Sequence, residues 1–133
     1  MRFMVIVKST PDTEKAGAMP TEAELAEMGR FNEQLIKAGV MLSGEGLHGS
    51  AKGRRVRYGA KTSVVDGPFV ESKELVAGYW IWKCASLEEA VEWAKRAPFR
   101  ESEVEIRQVH ELEDFPAVPD FVKKQTEALA QRQ

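Results

Sequence analysis

An α+β fold of the ferredoxin-like type, with an inserted β-hairpin and a helical C-terminal tail, is what the patterning of this 133-residue chain predicts. Three observations carry that expectation. Two strand-like runs, FMVIV from Phe3 and GYWIWKC from Gly78, are apolar on both faces. Two further segments repeat apolar residues at helical spacing, and each opens with a Ser/Thr-x-x-Glu capping box. Between them lies a pair of short alternating runs bounded by turn residues. The order is strand, helix, strand, hairpin, strand, helix, strand.

The first strand places Phe3, Val5 and Val7 on one side and Met4 and Ile6 on the other, as expected for the middle of a covered sheet. Ser9 to Met19, rich in Thr, Pro, Asp and Gly, reads as a loop. Thr21 with Glu24 opens a helix on which Leu25, Met28, Phe31 and Leu35 fall at helical spacing and which stops at Gly39, a residue that suits a left-handed cap. Val40 to Leu42 start the second strand, which is expected to break up in the glycine-rich stretch Gly44 to Ser50.

The hairpin is RRVRY from Arg54, a turn at Gly59 to Lys61, and TSVVD ending at Asp66. In the next strand Trp80, Trp82 and Cys84 share a face opposite Tyr79 and Ile81. Ser86 with Glu89 opens the second helix, which carries Leu87, Ala90, Val91 and Ala94 as its stripe and must end before Pro98. VEIRQV from Val104 is the last strand. Residues 1–114 thus form the domain, and 115–133 a mostly polar helical extension anchored through Phe115, Phe121 and Val122. With both helices on one sheet face, the other apolar face is left open, so a homodimer with face-to-face sheets is expected.

Composition narrows the function classes. Hydrophobic residues at 43% and charged residues at 30% suit a soluble globular domain, and a net charge of -2 gives no footprint for a nucleic-acid partner. The basic cluster Lys52, Arg54, Arg55, Arg57 reads mainly as a solvated strand edge, with phosphate or acidic-ligand binding as the lesser alternative. A lone cysteine, Cys84, rules out an internal disulfide. The two histidines, His48 and His110, lack metal-ligand spacing, so no metal and no cofactor is expected. No signal peptide or membrane span is read at Met1, which points to a cytoplasmic protein without a membrane partner.

The chemically richest stretch is VVDGPFVESKE, Val64 to Glu74. Asp66 follows a β-branched pair, Gly67 permits unusual backbone angles, and Pro68 fixes its own φ, so the chain should turn sharply off a strand end. Asp66 admits two readings, a proton-transfer group in a partly desolvated cleft or a turn aspartate that satisfies backbone donors. Phe69 would wall that cleft, and Arg57, Glu71, Lys73 and Glu74 would contact a polar ligand; Glu71, Lys73 and Glu74 equally suit a salt-bridged surface turn. His48 is a tentative partner of Asp66, reachable only if the glycine-rich loop folds toward the strand end. Trp80 and Trp82 are core aromatics before they are a ligand-stacking pair, and Cys84 a small hydrophobe before a nucleophile.

VVDGPFVESKE followed by GYWIW, together with AGVMLSGEGLHGS, KGRRVRY and SLEEAVEWAKRAP, resembles the DGPF-domain branch of the YCII-related family, from Met1 to about Val109. That resemblance implies a dimeric α/β barrel, a bacterial-type protein often encoded near alternative sigma factors, and an active-site cleft with a His and Asp pair. By motif the aspartate carries over to Asp66. The family's histidine lies in the first helix, where this chain has Met28, Arg30 and Asn32 and no histidine. Two functions remain open at this stage: acid or base chemistry on a small molecule through Asp66, or a non-catalytic module that binds a metabolite or docks a partner, with a link to transcription as one form of docking.

Overall fold

The unbroken apolar run FMVIV suits β1 (Arg2–Lys8) to an inner position in the main sheet, where it pairs on both edges and packs on both faces. The computed structural model describes residues 1–15, 19–69 and 73–132. β1 is followed by α1 (Pro11–Lys15), α2 (Glu22–Lys37), β2 (Met41–Gly46), the hairpin strands β3 (Arg54–Arg57) and β4 (Ser63–Asp66), then β5 (Val76–Lys83), α3 (Leu87–Ala94), β6 (Val104–Gln108) and α4 (Asp120–Ala130). The main sheet runs β2-β5-β1-β6, with every pairing antiparallel. With the hairpin set aside, this is the ferredoxin-like arrangement, and β3-β4 forms its own two-stranded sheet.

Register explains the core. Phe3 lies opposite Trp82 and Val5 opposite Trp80, so both pairs point to the same side. There they meet Phe31 and Leu35 of α2 and Ala90 of α3, together with Val40 and Cys84, all buried. Phe31 packs edge-on against Trp80 with ring centroids 5.8 Å apart, a favoured aromatic geometry. The Trp80 indole N–H donates to Asn32 Oδ1 at 2.9 Å. That of Trp82 is buried and finds no acceptor among the described residues. On the opposite face Met4 and Ile6 of β1 lie against Ile81 and Tyr79 of β5, half-buried, with Arg107, Glu105 and Glu45 around them.

The helix ends follow their capping residues. Thr21 Oγ1 accepts from the Glu24 N–H, and the Glu24 carboxylate accepts from the Thr21 N–H, both at 3.1 Å. At the other end Gly39 has φ 72°, its N–H donates to the Ile36 carbonyl and the Val40 N–H donates to Leu35. That pair of bonds is a Schellman stop. At α3 the expected box is only half present. Ser86 Oγ accepts from the Glu89 N–H, but the Glu89 carboxylate accepts from Ala85, one residue before the cap.

Three other expectations need correction. The loop from Ser9 contains the five-residue helix α1, in which the Thr13 N–H donates to Thr10 Oγ1 and which starts on Pro11, a good first helical residue. β2 does not dissolve at Gly44 but continues to Gly46. Gly44 serves close approach between strands, since a Cβ there would sit 2.7 Å from the Trp80 ring, and on β5 a Cβ at Gly78 would sit 2.6 Å from the Glu45 carbonyl oxygen. In the tail, Val122 is half-buried in an apolar hollow with Leu112, Phe115 and Val118, whereas Phe121 is 65% exposed and takes no part in that hollow.

Three surface carboxyls lie below their usual pKa. The main cause for Glu111 is its two-pronged hydrogen bond from Arg2 (2.7 and 3.1 Å), for Glu74 the hydrogen bond from Lys8, and for Glu24 the bond from the Thr21 backbone. A carboxyl depressed in the folded state adds stability above its unfolded pKa and loses it as pH falls through the folded value. Urea midpoints should therefore hold steady from pH 7 to about pH 5 and decline below about pH 4.3, the ordinary Glu value. Stability that does not fall between about pH 4.3 and pH 3 would contradict these assignments.

Candidate functional site

The turn that leaves β4 at Asp66 is fastened to the segment Gly49 to Gly53, which forms a short 3-10 turn over Ser50–Lys52. The Gly67 N–H donates to the Gly53 carbonyl at 3.1 Å and the Phe69 N–H to Ser50 Oγ at 2.7 Å. Ser50 in turn donates its hydroxyl proton to the Glu14 carboxylate of α1. One hydroxyl thus joins α1, the 49–53 segment and the DGPF turn. Gly67 owes its identity to space rather than to a positive φ, since a Cβ there would lie 1.7 Å from the Ser50 carbonyl oxygen. The Gly67-Pro68 peptide is cis. Beyond the turn, the Ser9 N–H donates to the Leu75 carbonyl at 2.9 Å and Lys8 pairs with Glu74, so the far end of the run is tied to β1.

Phe69 is 8% exposed, and the Arg55 guanidinium lies over its ring, 3.9 Å from the centroid. That is close cation–π contact. The hairpin register then decides which groups share a side. Arg54 faces Asp66 and Val56 faces Val64 on one side; Arg55 faces Val65 and Arg57 faces Ser63 on the other. Asp66 Oδ1 forms an ion pair with Arg54 Nε at 2.8 Å, and the carboxylate is 75% exposed. The register therefore puts Asp66 and the Arg55–Phe69 stack on opposite faces of the hairpin.

The sequence-selected residues separate accordingly. Arg57 and Lys73 are exposed and hold no ion pair among the described residues. Glu74 pairs with Lys8. His48 is exposed and makes no hydrogen bond among the described residues, so it does not engage Asp66. Glu71 lies outside the described residues. Three residues not selected from sequence complete the site. Ser50 stood in a loop already marked for attention; Arg55 belonged to the basic cluster, but its ring partner is twelve or more residues away along the chain; Glu14 carried no signal, since its α1 helix read as loop. Among the described residues no three His, Cys, Asp or Glu side chains converge as metal ligands, and no helix is long and apolar enough to cross a membrane.

Comparison with known proteins adds a family match. Residues 1–113 match the YCII-related domain model. An uncharacterized protein of Rhizobium meliloti (strain 1021) is 31% identical over 75 residues, covering 56% of this chain and 60% of that protein, so this chain spans less than two-thirds of its relative. Among solved structures, the 5-chloro-2-hydroxyhydroquinone dehydrochlorinase of Burkholderia phenoliruptrix AC1100, in complex with 2,5-dihydroxybenzoquinone, aligns at 18% identity and a TM-score of 0.43, covering 85% of this chain and 98% of that one.

Replacing Ser50 with Ala removes the acceptor for the Phe69 N–H and the donor to Glu14 at once. The loss should be about 1–3 kcal/mol by urea denaturation, the cost of stranding a partly buried donor. A Ser50→Ala protein as stable as wild type would show that the bridge contributes nothing.

Proposed function

Because the chain belongs to the YCII-related domain family, whose model covers it from the first strand to the last, we propose that it is a homodimeric protein that binds a small polar molecule at the junction of the DGPF turn, the 49–53 segment and β3. The observation that carries this reading is the Ser50 bridge. It holds the backbone of Phe69 and the side chain of Glu14 in one place, beneath a ring already covered by Arg55. Polar groups on a wall of fixed backbone, next to one aromatic surface, are the ordinary make-up of a small-molecule site.

A second reading, acid or base catalysis by Asp66, is favoured by the way its carboxylate is held. The ion pair with Arg54 orients the carboxylate, which otherwise faces solvent and is open to a ligand. Against it stand the 75% exposure of the carboxylate to water and the absence, among the described residues, of a hydrogen bond to His48. Binding without turnover is the better supported of the two. A thermal-shift screen with a metabolite library should yield ligands that raise the melting temperature of wild type and of Asp66→Asn alike, and whose effect fades in Ser50→Ala. Product formation from such a ligand, abolished by Asp66→Asn, would instead establish catalysis.

The dimer rests on the open sheet face. Met4, Ile6, Tyr79 and Ile81 form an apolar centre within a charged rim, the pattern of an interface that excludes water at its middle. Sedimentation of the wild-type chain should give twice the monomer mass, and Ile81→Asp should shift it to monomer while retaining the circular-dichroism spectrum. A wild-type monomer at micromolar concentration would remove the dimer from the proposal.

A further inference from the structure

Most cations on the main sheet and its helices are neutralised: Arg2 by Glu111, Lys8 by Glu74 and Glu105, Lys37 by Glu33, Lys95 by Glu92, Arg100 by Glu27 and Arg107 by Glu105. Within the hairpin the same is true of Arg54, which Asp66 neutralises across the strand pair. Arg55 and Arg57 differ. Both project from the other face of β3, opposite the neutral residues Val65 and Ser63, and neither meets a carboxylate among the described residues.

Their placement is also not that of loose surface side chains. Residues two apart on a strand rise from one face about 7 Å apart, a separation that two long side chains can close on a single ligand. The Arg55 guanidinium is fixed over the Phe69 ring, and that ring is buried and held through its own backbone by Ser50. Stacking occupies a face of the planar group and leaves its N–H edge free, and that edge matches an oxyanion with two parallel hydrogen bonds. A strand edge that merely repels other strands needs charge alone; it needs no aromatic platform to orient one guanidinium.

We infer that the Arg55–Arg57 face of the hairpin binds a doubly charged oxyanion on a small molecule, a phosphate monoester or a dicarboxylate, with Arg55 as the oriented fork and Arg57 as the second cation. The inference rests on the proposed junction site and names the class of ligand it takes. Asp66, turned to the other face and paired with Arg54, does not repel such a ligand at close range.

Isothermal titration of the full chain at matched low ionic strength, with glycerol 3-phosphate in one arm and succinate in the other, tests it. Saturable binding is expected in at least one arm, and the arm that binds assigns the source of the charge. Arg55→Gln and Arg57→Gln should each weaken it about tenfold, the loss of a charge-assisted hydrogen bond, while Lys123→Gln on α4 should leave it unchanged. Arg57→Gln, at an exposed position without a ring contact, should keep the wild-type melting curve, and Arg55→Gln, which loses the Phe69 stack, should lower the midpoint while keeping a single cooperative transition. No saturation in either arm, or binding that survives both arginine changes, would overturn the assignment. A neutral ligand that stabilises the chain through Ser50 but tolerates both changes would overturn it as well, while leaving the junction site standing.

Discussion

The Ser50 hydroxyl is the contact on which the arrangement around the DGPF turn depends. It accepts from the Phe69 backbone and donates to Glu14, so a single side chain ties together three segments that lie far apart in sequence. Gly67 makes that possible, because only a residue without a Cβ can pass so close to the Ser50 carbonyl. Once the turn is seated, Phe69 is buried beneath Arg55 and the hairpin is set against the body of the domain. The DGPF signature is therefore first a docking device, and the position of every nearby polar group follows from it.

Hairpin register is the second constraint, and it separates chemistry that a linear reading puts together. Asp66, Phe69 and Arg57 fall within thirteen residues, yet strand alternation turns Asp66 and Arg54 to one side and Arg55 and Arg57 to the other. An aspartate spent on a cross-strand ion pair is a poor candidate for unaided proton transfer. Two arginines that meet no carboxylate among the described residues, one of them stacked on a fixed aromatic ring, are why binding rather than catalysis is the function proposed.

Much of the fold was legible because its signals are local. Two-sided apolar alternation located β1 and β5, Thr21 and Glu24 marked the start of α2, and Gly39 marked its stop. What escaped was non-local. The glycines of β2 look like a loop until Trp80 is seen pressing on Gly44, and α1, PDTEK, carries no apolar repeat that could mark it as a helix. The site was legible only in its anchor, the DGPF run. Its partners Ser50 and Glu14 are small or common polar residues whose meaning lies in a contact 19 and 36 residues away, which neither composition nor periodicity records.

Amide hydrogen exchange at Phe69 probes the docking role of the DGPF turn most directly. If Ser50 holds the turn in place, this amide, which donates to a side chain and belongs to no sheet or helix, should exchange with protection approaching that of the β5 amides of Trp80 and Trp82. Exchange at the rate of an open loop would mean that the turn is not fastened, and that neither Phe69 nor Arg55 is held as a binding surface.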